Sequence, residues 1–358
     1  MRRQARRANL LGEWLLAQQV RAQGGGIISP LSLLDALAPL AAAARDETAA
    51  VFVKLFGSAR LAEMIELHGA LRQNALSRAT ATWLPPGTAP NRAFLQRLAP
   101  LEIETKEVDF TASGALGLIN GWVAAHTANL IPSVIDRLPA YPSAVITSAL
   151  HFAARWLQPF DPAATRQGSF TRADGRRSDV SFMRDTRMIP YAEDGHWQAL
   201  QLPYANTDFS FSALVPAPGR PTRALGQLVQ QRRSLATLAA LRFAPTEVEL
   251  AIPRLTAEQG ADLLPSLARS SIGAAFSEAA DYRGMTGSAL RISALHQRVV
   301  LKLDEAGTEA AAATAALTSR AMVERARLDL DRPFLALVGH RPTGMLIAAA
   351  LINDPGNA

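Results

Sequence analysis

The chain has 358 residues, 49% of them hydrophobic and 19% charged, with a formal net charge of +6. This is enough apolar material for a large core, and it excludes the composition of a disordered chain or of a strongly charged tail. Cysteine is absent, which removes disulfides, thiolate metal ligands and a cysteine nucleophile, and the basic charge is almost all arginine dispersed along the chain, so no nucleic-acid footprint is expected.

The basic start MRRQARR leads into ANLLGEWLLAQQV, where Glu13 and Gln18 interrupt the apolar run. A secretory signal needs a continuously apolar core ending in a small-residue cleavage site, so this segment reads as an amphipathic helix with Leu10, Trp14, Leu15 and Val20 on one face. Localisation stays open at this level, since a removed signal would place the chain outside the cell or in the periplasm and its absence in the cytoplasm. No other segment offers about 18 uninterrupted apolar residues, so no membrane span is expected.

After a break at Gly24-Gly25-Gly26, Ser29-Pro30 opens a capped helix from Leu31 to Ala44. Ser113 to Ala125 fits another, with Trp122 and Val123 inward. From Ala144 the pattern turns to strands: AVITSALHF, WQALQLPY, DFSFSALVP, VELAIPRL and RISALHQRVVLKL. Ala173-Asp174-Gly175 marks a hairpin, and Pro216 to Gly219 closes another pair. There is no Gly-, Ser- or Pro-rich linker and no internal repeat, so residues 1–358 read as one mixed α+β domain.

Signatures of catalysis are missing. The histidines at 68, 126, 151, 196, 296 and 340 form no HExxH motif and no zinc-like spacing. No GxSxG elbow is present, and Lys54, Lys106 and Lys302 are followed by Leu, Glu and Leu, which excludes a phosphate loop. Neither enzyme chemistry nor a metal or other cofactor is expected.

One stretch is unusual: DEAGTEAAAATAALTSRAMVERARLDLDRPF, residues 304 to 334. By propensity its alanines favour a helix. Against this, Gly307 and Thr308 stand at its start, Thr314 and Thr318 are β-branched, and the strand-like VVLKLDEA runs into it without a turn. As a strand it would place Thr308, Ala310, Ala312, Thr314 and Ala316 on one face and Glu309, Ala311, Ala313, Ala315 and Leu317 on the other. The first face is entirely small and uncharged, and it could enter a gap in a sheet while Glu309 stays in solvent.

The segment EAGTEAAAAT, Glu305 to Thr314, resembles the hinge of inhibitory serpins of the bacterial type. ISPLSL at 28–33, INGWVAAHT at 119–127, SALHFAARWLQPFDP at 148–162, LPYA at 202–205, FSEAADYRGMTG at 276–287 and RPFLALVGHRPTGMLIAAALIND at 332–354 follow in the family's order. The resemblance implies an α+β serpin fold with a large central mixed β-sheet, two smaller sheets, about eight or nine helices and an exposed reactive-centre loop at about residues 305–332. It implies a monomeric suicide inhibitor of serine-type proteases, with no cofactor, no nucleic acid and no membrane partner. The alternative within the fold is a non-inhibitory carrier, chaperone or storage protein; such members usually spoil the hinge with bulky, charged or proline residues, and this hinge, with its small, uncharged face, is unspoiled.

Carried over residue by residue, the hinge is Glu305, Gly307, Thr308, Glu309, Ala310, Ala311, Ala312, Ala313 and Thr314. A shutter controlling the central sheet would comprise Ser29, Ser32, Asn120, Thr127, Ser148 and His296, with His296 as a hydrogen-bonding gatekeeper. Most serpins have asparagine where this chain has Ser148, so a rewired shutter is expected, through His151 or water. A breach at the top of the sheet would comprise Trp156 and an ion pair between Arg254 and Glu305. Counting forward from Glu305 puts the cleaved bond at Ala321-Met322, and counting back from Pro333 puts it at Met322-Val323. Either suits an elastase-like or subtilisin-like protease, while Arg320 would invite a trypsin-like one. Arg325 and Arg327 could serve an acidic exosite or only solubility. The helix around Leu61 to Arg72 carries few basic groups, so no glycosaminoglycan cofactor is expected.

Overall fold

A computed structural model describes residues 1–71, 75–308 and 325–356 of the chain. The buried centre is set by one helix. Ser29 sits in the β region, and its side chain accepts a hydrogen bond from Ser32 N, capping the helix α2 (Pro30–Ala43) that follows α1 (Arg2–Gln23) and β1 (Gly26–Ile28). The sequence PLSLLDALAPLAAA has almost no polar face, and every residue of α2 is buried, as expected of a helix apolar all round. Helix α1 buries Ala5, Ala8, Leu11, Leu15 and Val20, whereas Leu10 is 52% exposed and Trp14 half-buried. Of the inward face predicted from large apolar residues, Leu15 and Val20 are buried and Leu10 is not, and Gly12 is where α1 approaches α2 closely: a Cβ there would lie 2.6 Å from Pro30 Cγ.

Helices α3 (Asp46–Phe56) and α4 (Arg60–Ala70) precede β2 (Leu76–Leu84), α5 (Arg92–Leu98), β3 (Glu104–Glu107), α6 (Ala115–His126) and β4 (Ala144–Phe152). Next come β5 (Arg166–Thr171), β6 (Arg177–Glu193), β7 (Trp197–Pro203), β8 (Phe209–Pro216), α7 (Ala224–Gln230) and α8 (Ser234–Ala240). The chain then forms β9 (Ala244–Pro253), β10 (Leu255–Asp262), α9 (Leu264–Leu267), α10 (Arg283–Thr286), β11 (Ile292–Leu303), β12 (Ala326–Asp329), β13 (Phe334–His340) and β14 (Met345–Ile352).

Five strands form the central mixed sheet in the order β10-β11-β4-β2-β3. In its middle β4 and β11 run parallel, paired from Ile292↔Ala144 to Val300↔His151. The other sheet has nine strands, β1-β14-β13-β8-β7-β6-β9-β12, with β5 also on β6. The two smaller sheets expected from the resemblance are continuous here. The 17-residue β6 pairs with β5 at its start, with β9 along its middle and with β7 at its end, and so bridges them. The helices number ten among the described residues.

Side-chain alternation gives the central sheet two covered faces. Ile146 and Leu150 on β4, with Leu295 and Val299 on β11, pack on the main core around α2. Val145 and Ala149, with Ala294, pack on a second core under Ile119 and Val123 of α6. Which residue meets which helix is decided by parity alone.

Gly284, in α10, lies so close to the end of α2 that an added Cβ would fall 2.2 Å from Ala43 O. Backbone cannot yield cheaply, so Gly284→Ala should cost about 1–3 kcal/mol. A urea melt reads this directly, and an unchanged midpoint would show that α10 moves aside freely.

Candidate functional site at the middle and end of the central sheet

Where β11 ends at Leu303, the chain makes a tight turn. Asp304 Oδ1 accepts from Ala306 N and Gly307 N at 3.0 and 3.2 Å. Trp156, buried, holds this turn from the side: its backbone N donates to Ala306 O and its Nε1 to Asp304 O, both at 2.9 Å. Phe160 N donates to Glu305 O at 2.8 Å. The Glu305 carboxylate accepts from Arg254 Nε at 2.7 and 2.9 Å and from Thr165 Oγ1 at 2.5 Å. Burial alone would push the Glu305 carboxyl up, but these donors outweigh it and hold the group below its ordinary 4.5. Trp156, Arg254 and Glu305 thus meet at one place.

The next two residues lie against the segment just past the end of β4. Gly307 has φ 147° and bridges Arg155 in antiparallel fashion, and a Cβ there would sit 2.1 Å from Ala154 O, so only glycine fits. Thr308 is buried, donates its N–H to Ala154 O at 2.7 Å, and its Oγ1 is 3.0 Å from Tyr204 Oη. Tyr204 stacks on Trp156 with centroids 4.6 Å apart, and burial pushes its phenol well up, so the hydroxyl remains protonated. Glu309, Ala310, Ala311, Ala312, Ala313 and Thr314 of the hinge, and Arg320, Ala321, Met322 and Val323 of the loop, lie outside the described residues, as does Arg72. Arg325 pairs with Glu247 at 3.0 Å and Arg327 with Asp329 at 2.8 Å, so both have local partners.

At the middle of the sheet, three of the six shutter residues come together under the first turn of α2. Ser148 on β4 donates to Ser32 O at 3.0 Å and its Oγ lies 2.7 Å from Ser32 Oγ and 2.8 Å from Thr80 Oγ1. One donor and two lone pairs are thereby all used. Thr80 on β2 and Gln297 on β11 complete this cluster, and His296 does not enter it. Gln297 Oε1 accepts from Ser29 N at 3.2 Å and its Nε2 donates to Ser29 O at 3.0 Å. The start of α2 therefore ties β4 through Ser32 and β11 through Ser29, spanning the seam between the parallel strands.

His296 points to the other face, where α6 lies, and so does His151, which shares the parity of Val145 and Ala149. Neither reaches Ser148, and the rewiring runs instead through Thr80 and Gln297. Gln297 was missed because a histidine stood beside it. Its parity with Leu295, Val299 and Leu301 was the available signal. Asn120 accepts from Val134 N and Ile135 N at 2.9 and 3.2 Å and donates to Ile135 O, while Thr127 Oγ1 donates to Val123 O and accepts from Ile131 N. Both fasten α6 to its own following turn on that second face. Among the described residues no group of three or more His, Cys, Asp or Glu is placed to hold a metal ion, and no helix is long and apolar enough to cross a membrane.

The family model described as Serpin (serine protease inhibitor) matches residues 12–355. Leukocyte elastase inhibitor of Bos taurus is 28% identical over 358 residues, covering 93% of each chain. Plasminogen activator inhibitor 1 of Sus scrofa is 28% identical over 308 residues, 81% of this chain and 74% of that one. Among solved structures, the thermophilic serpin tengpin in its native state superposes with a TM-score of 0.85 at 22% identity, covering 98% of this chain and 93% of that one. Human thyroxine-binding globulin complexed with its hormone superposes at 0.84 and 23% identity, covering 98% and 99%. At such identities the two structures establish the fold alone.

Two measurements follow from the tie across the seam and from its far face. Gln297→Ala leaves Ser29 N–H buried without a partner and Ser29 C=O with Leu33 N alone, a cost of about 1–3 kcal/mol; an unaltered urea midpoint would mean that water replaces the lost bonds. Burial holds the His296 imidazole below its ordinary 6.5, with Asp262 and Asp136 partly opposing. The native state then binds fewer protons than the unfolded chain below 6.5, so the stability from neutral His296 is complete above that value and lost as pH falls through the depressed one. His296→Gln should flatten the fall of the urea midpoint between about pH 7 and pH 5, and His340, also held down by burial, should account for part of the slope that remains.

Proposed function

This chain belongs to the serpin family, whose members are mostly protease inhibitors rather than enzymes, and from that premise we propose that it inhibits serine-type proteases as a suicide substrate. The observation that carries the reading is the junction at the end of the seam. A small, uncharged hinge, Gly307-Thr308, leaves β11 beside the parallel pair β4–β11, and the sequence continues as Ala310 to Ala313 and Thr314.

The proposed sequence of events is simple. A protease serine Oγ attacks the carbonyl carbon of Ala321 and forms an ester, while the amide nitrogen of Met322 leaves as a new amino terminus. Cleavage frees the loop at one end. It enters between β4 and β11 as a strand antiparallel to both, replacing one slanted parallel ladder with two antiparallel ones. About 14 inserted residues at about 3.3 Å each would carry the tethered enzyme roughly 46 Å. Distortion of the protease's oxyanion hole then stalls deacylation. Thr308, Ala310, Ala312, Thr314 and Ala316 would face the α2 core, and their small size avoids overpacking there. The whole chain acts as one domain and as a monomer in this reading. Elastase-like or subtilisin-like targets match Ala321 and Met322, and a trypsin-like target matches Arg320.

Mixing the protein with elastase, subtilisin or trypsin should give a complex stable on a denaturing gel, and sequencing the released fragment locates the bond. The nicked protein should melt above the intact one. Clean turnover without a complex and without a rise in melting temperature would favour the carrier, chaperone or storage reading. Thr308→Arg places a charge where the hinge is buried against Tyr204. That variant should still be cleaved but should lose the covalent complex.

A further inference from the structure

Leu10 is 52% exposed, an unusual cost for a leucine on a helix that otherwise packs well. It stands at one side of a cleft of about 720 Å³ between α1, α3 and the turn at 270–274. Buried Leu11 and Ile272 and half-buried Trp14 and Leu55 line this cleft, giving it an aliphatic wall with one aromatic ring. Its volume falls in the range of small-molecule sites.

Charge at the same cleft is one-sided. Arg7, Lys54 and Arg232 all line it, against the single carboxylate of Glu47. Arg7 Nη1 is buried with no hydrogen-bond partner among the described residues. A guanidinium has only donors, so a buried N–H of this kind lacks an acceptor that something else must supply. Arg232 stands at φ 58° in the turn that ends α7, where its N–H donates to Val229 O and Arg233 N–H to Leu228 O, so the helix termination fixes it at the rim of the cleft.

We propose that this cleft binds a small amphipathic carboxylate of the fatty-acid class. The alkyl chain lies along Leu11, Trp14, Leu55 and Ile272, and the carboxylate accepts hydrogen bonds from Arg7 and Arg232. A neutral chain would leave Arg7 unsatisfied, and a compact polar anion would leave the apolar wall uncovered. The site is remote from the β4–β11 seam and stands or falls independently of protease inhibition.

The test uses the intact protein and dodecanoate below its micelle concentration. Calorimetry should show one saturable site, and 12-bromododecanoate should quench a part of the tryptophan fluorescence that disappears in Trp14→Phe. Arg232→Ala, an exposed position that does not endanger folding, and Arg7→Ala should each weaken binding about tenfold. 1-Dodecanol should bind at least about tenfold more weakly than dodecanoate. Ala50→Trp, which fills the cleft from an exposed position on α3, should abolish quenching. Non-saturable uptake, equal binding of the alcohol, quenching that persists in Trp14→Phe or in Ala50→Trp, or unchanged affinity in both arginine variants would overturn the proposal.

Discussion

Strands β4 and β11 lie side by side and parallel although residues 153–291 separate them in sequence, and this one pairing constrains everything packed around it. Parallel ladders have slanted hydrogen bonds and are slightly weaker per residue than antiparallel ones. The seam between them is closed on one face by α2 and on the other by α6. On the α2 face the closure is specific: Ser32 holds one strand and Ser29, through Gln297, holds the other. To part the strands, at least one of those buried bonds must break.

The end of the seam balances two tendencies. Glu305, gripped by Arg254 and Thr165, and the Asp304 turn fix the chain where it leaves β11. One turn further, Gly307 bridges Arg155, and Thr308 takes partners from Ala154 and Tyr204. The stack of Trp156 on Tyr204 connects the two, because Trp156 bonds the turn and Tyr204 bonds the hinge.

Much of this was legible before any coordinates. The strand AVITSALHF coincides with β4, Ser29-Pro30 with the start of α2, and Ala173-Asp174-Gly175 with the turn joining β5 to β6. These are local signals, set by β-branched residues, by a capping side chain and by a glycine at positive φ. The acid and base at Glu305 and Arg254 were also nameable, because the resemblance pairs them. Less legible were facts that depend on which way a side chain points. Leu10 reads as core and is exposed, since the buried stripe of α1 runs through Leu11, Leu15 and Val20 together with the small Ala5 and Ala8. His296 looked like the gatekeeper, yet the strand's alternation turns it to α6 and hands the place to Gln297.

Composition, hydrophobic period and turn chemistry determined the elements, the absence of disulfide and thiolate chemistry, and the small-faced character of the segment after Lys302. Those properties live within a few residues of chain, so they can be read from it. Only the tertiary structure decided which face of β11 meets α2, that β6 would join two sheets into one, and that Arg7, Lys54 and Arg232 from three separate segments would gather around one apolar cleft. Each of these is a long-range juxtaposition, fixed by packing between elements far apart in the chain, and no local pattern encodes it.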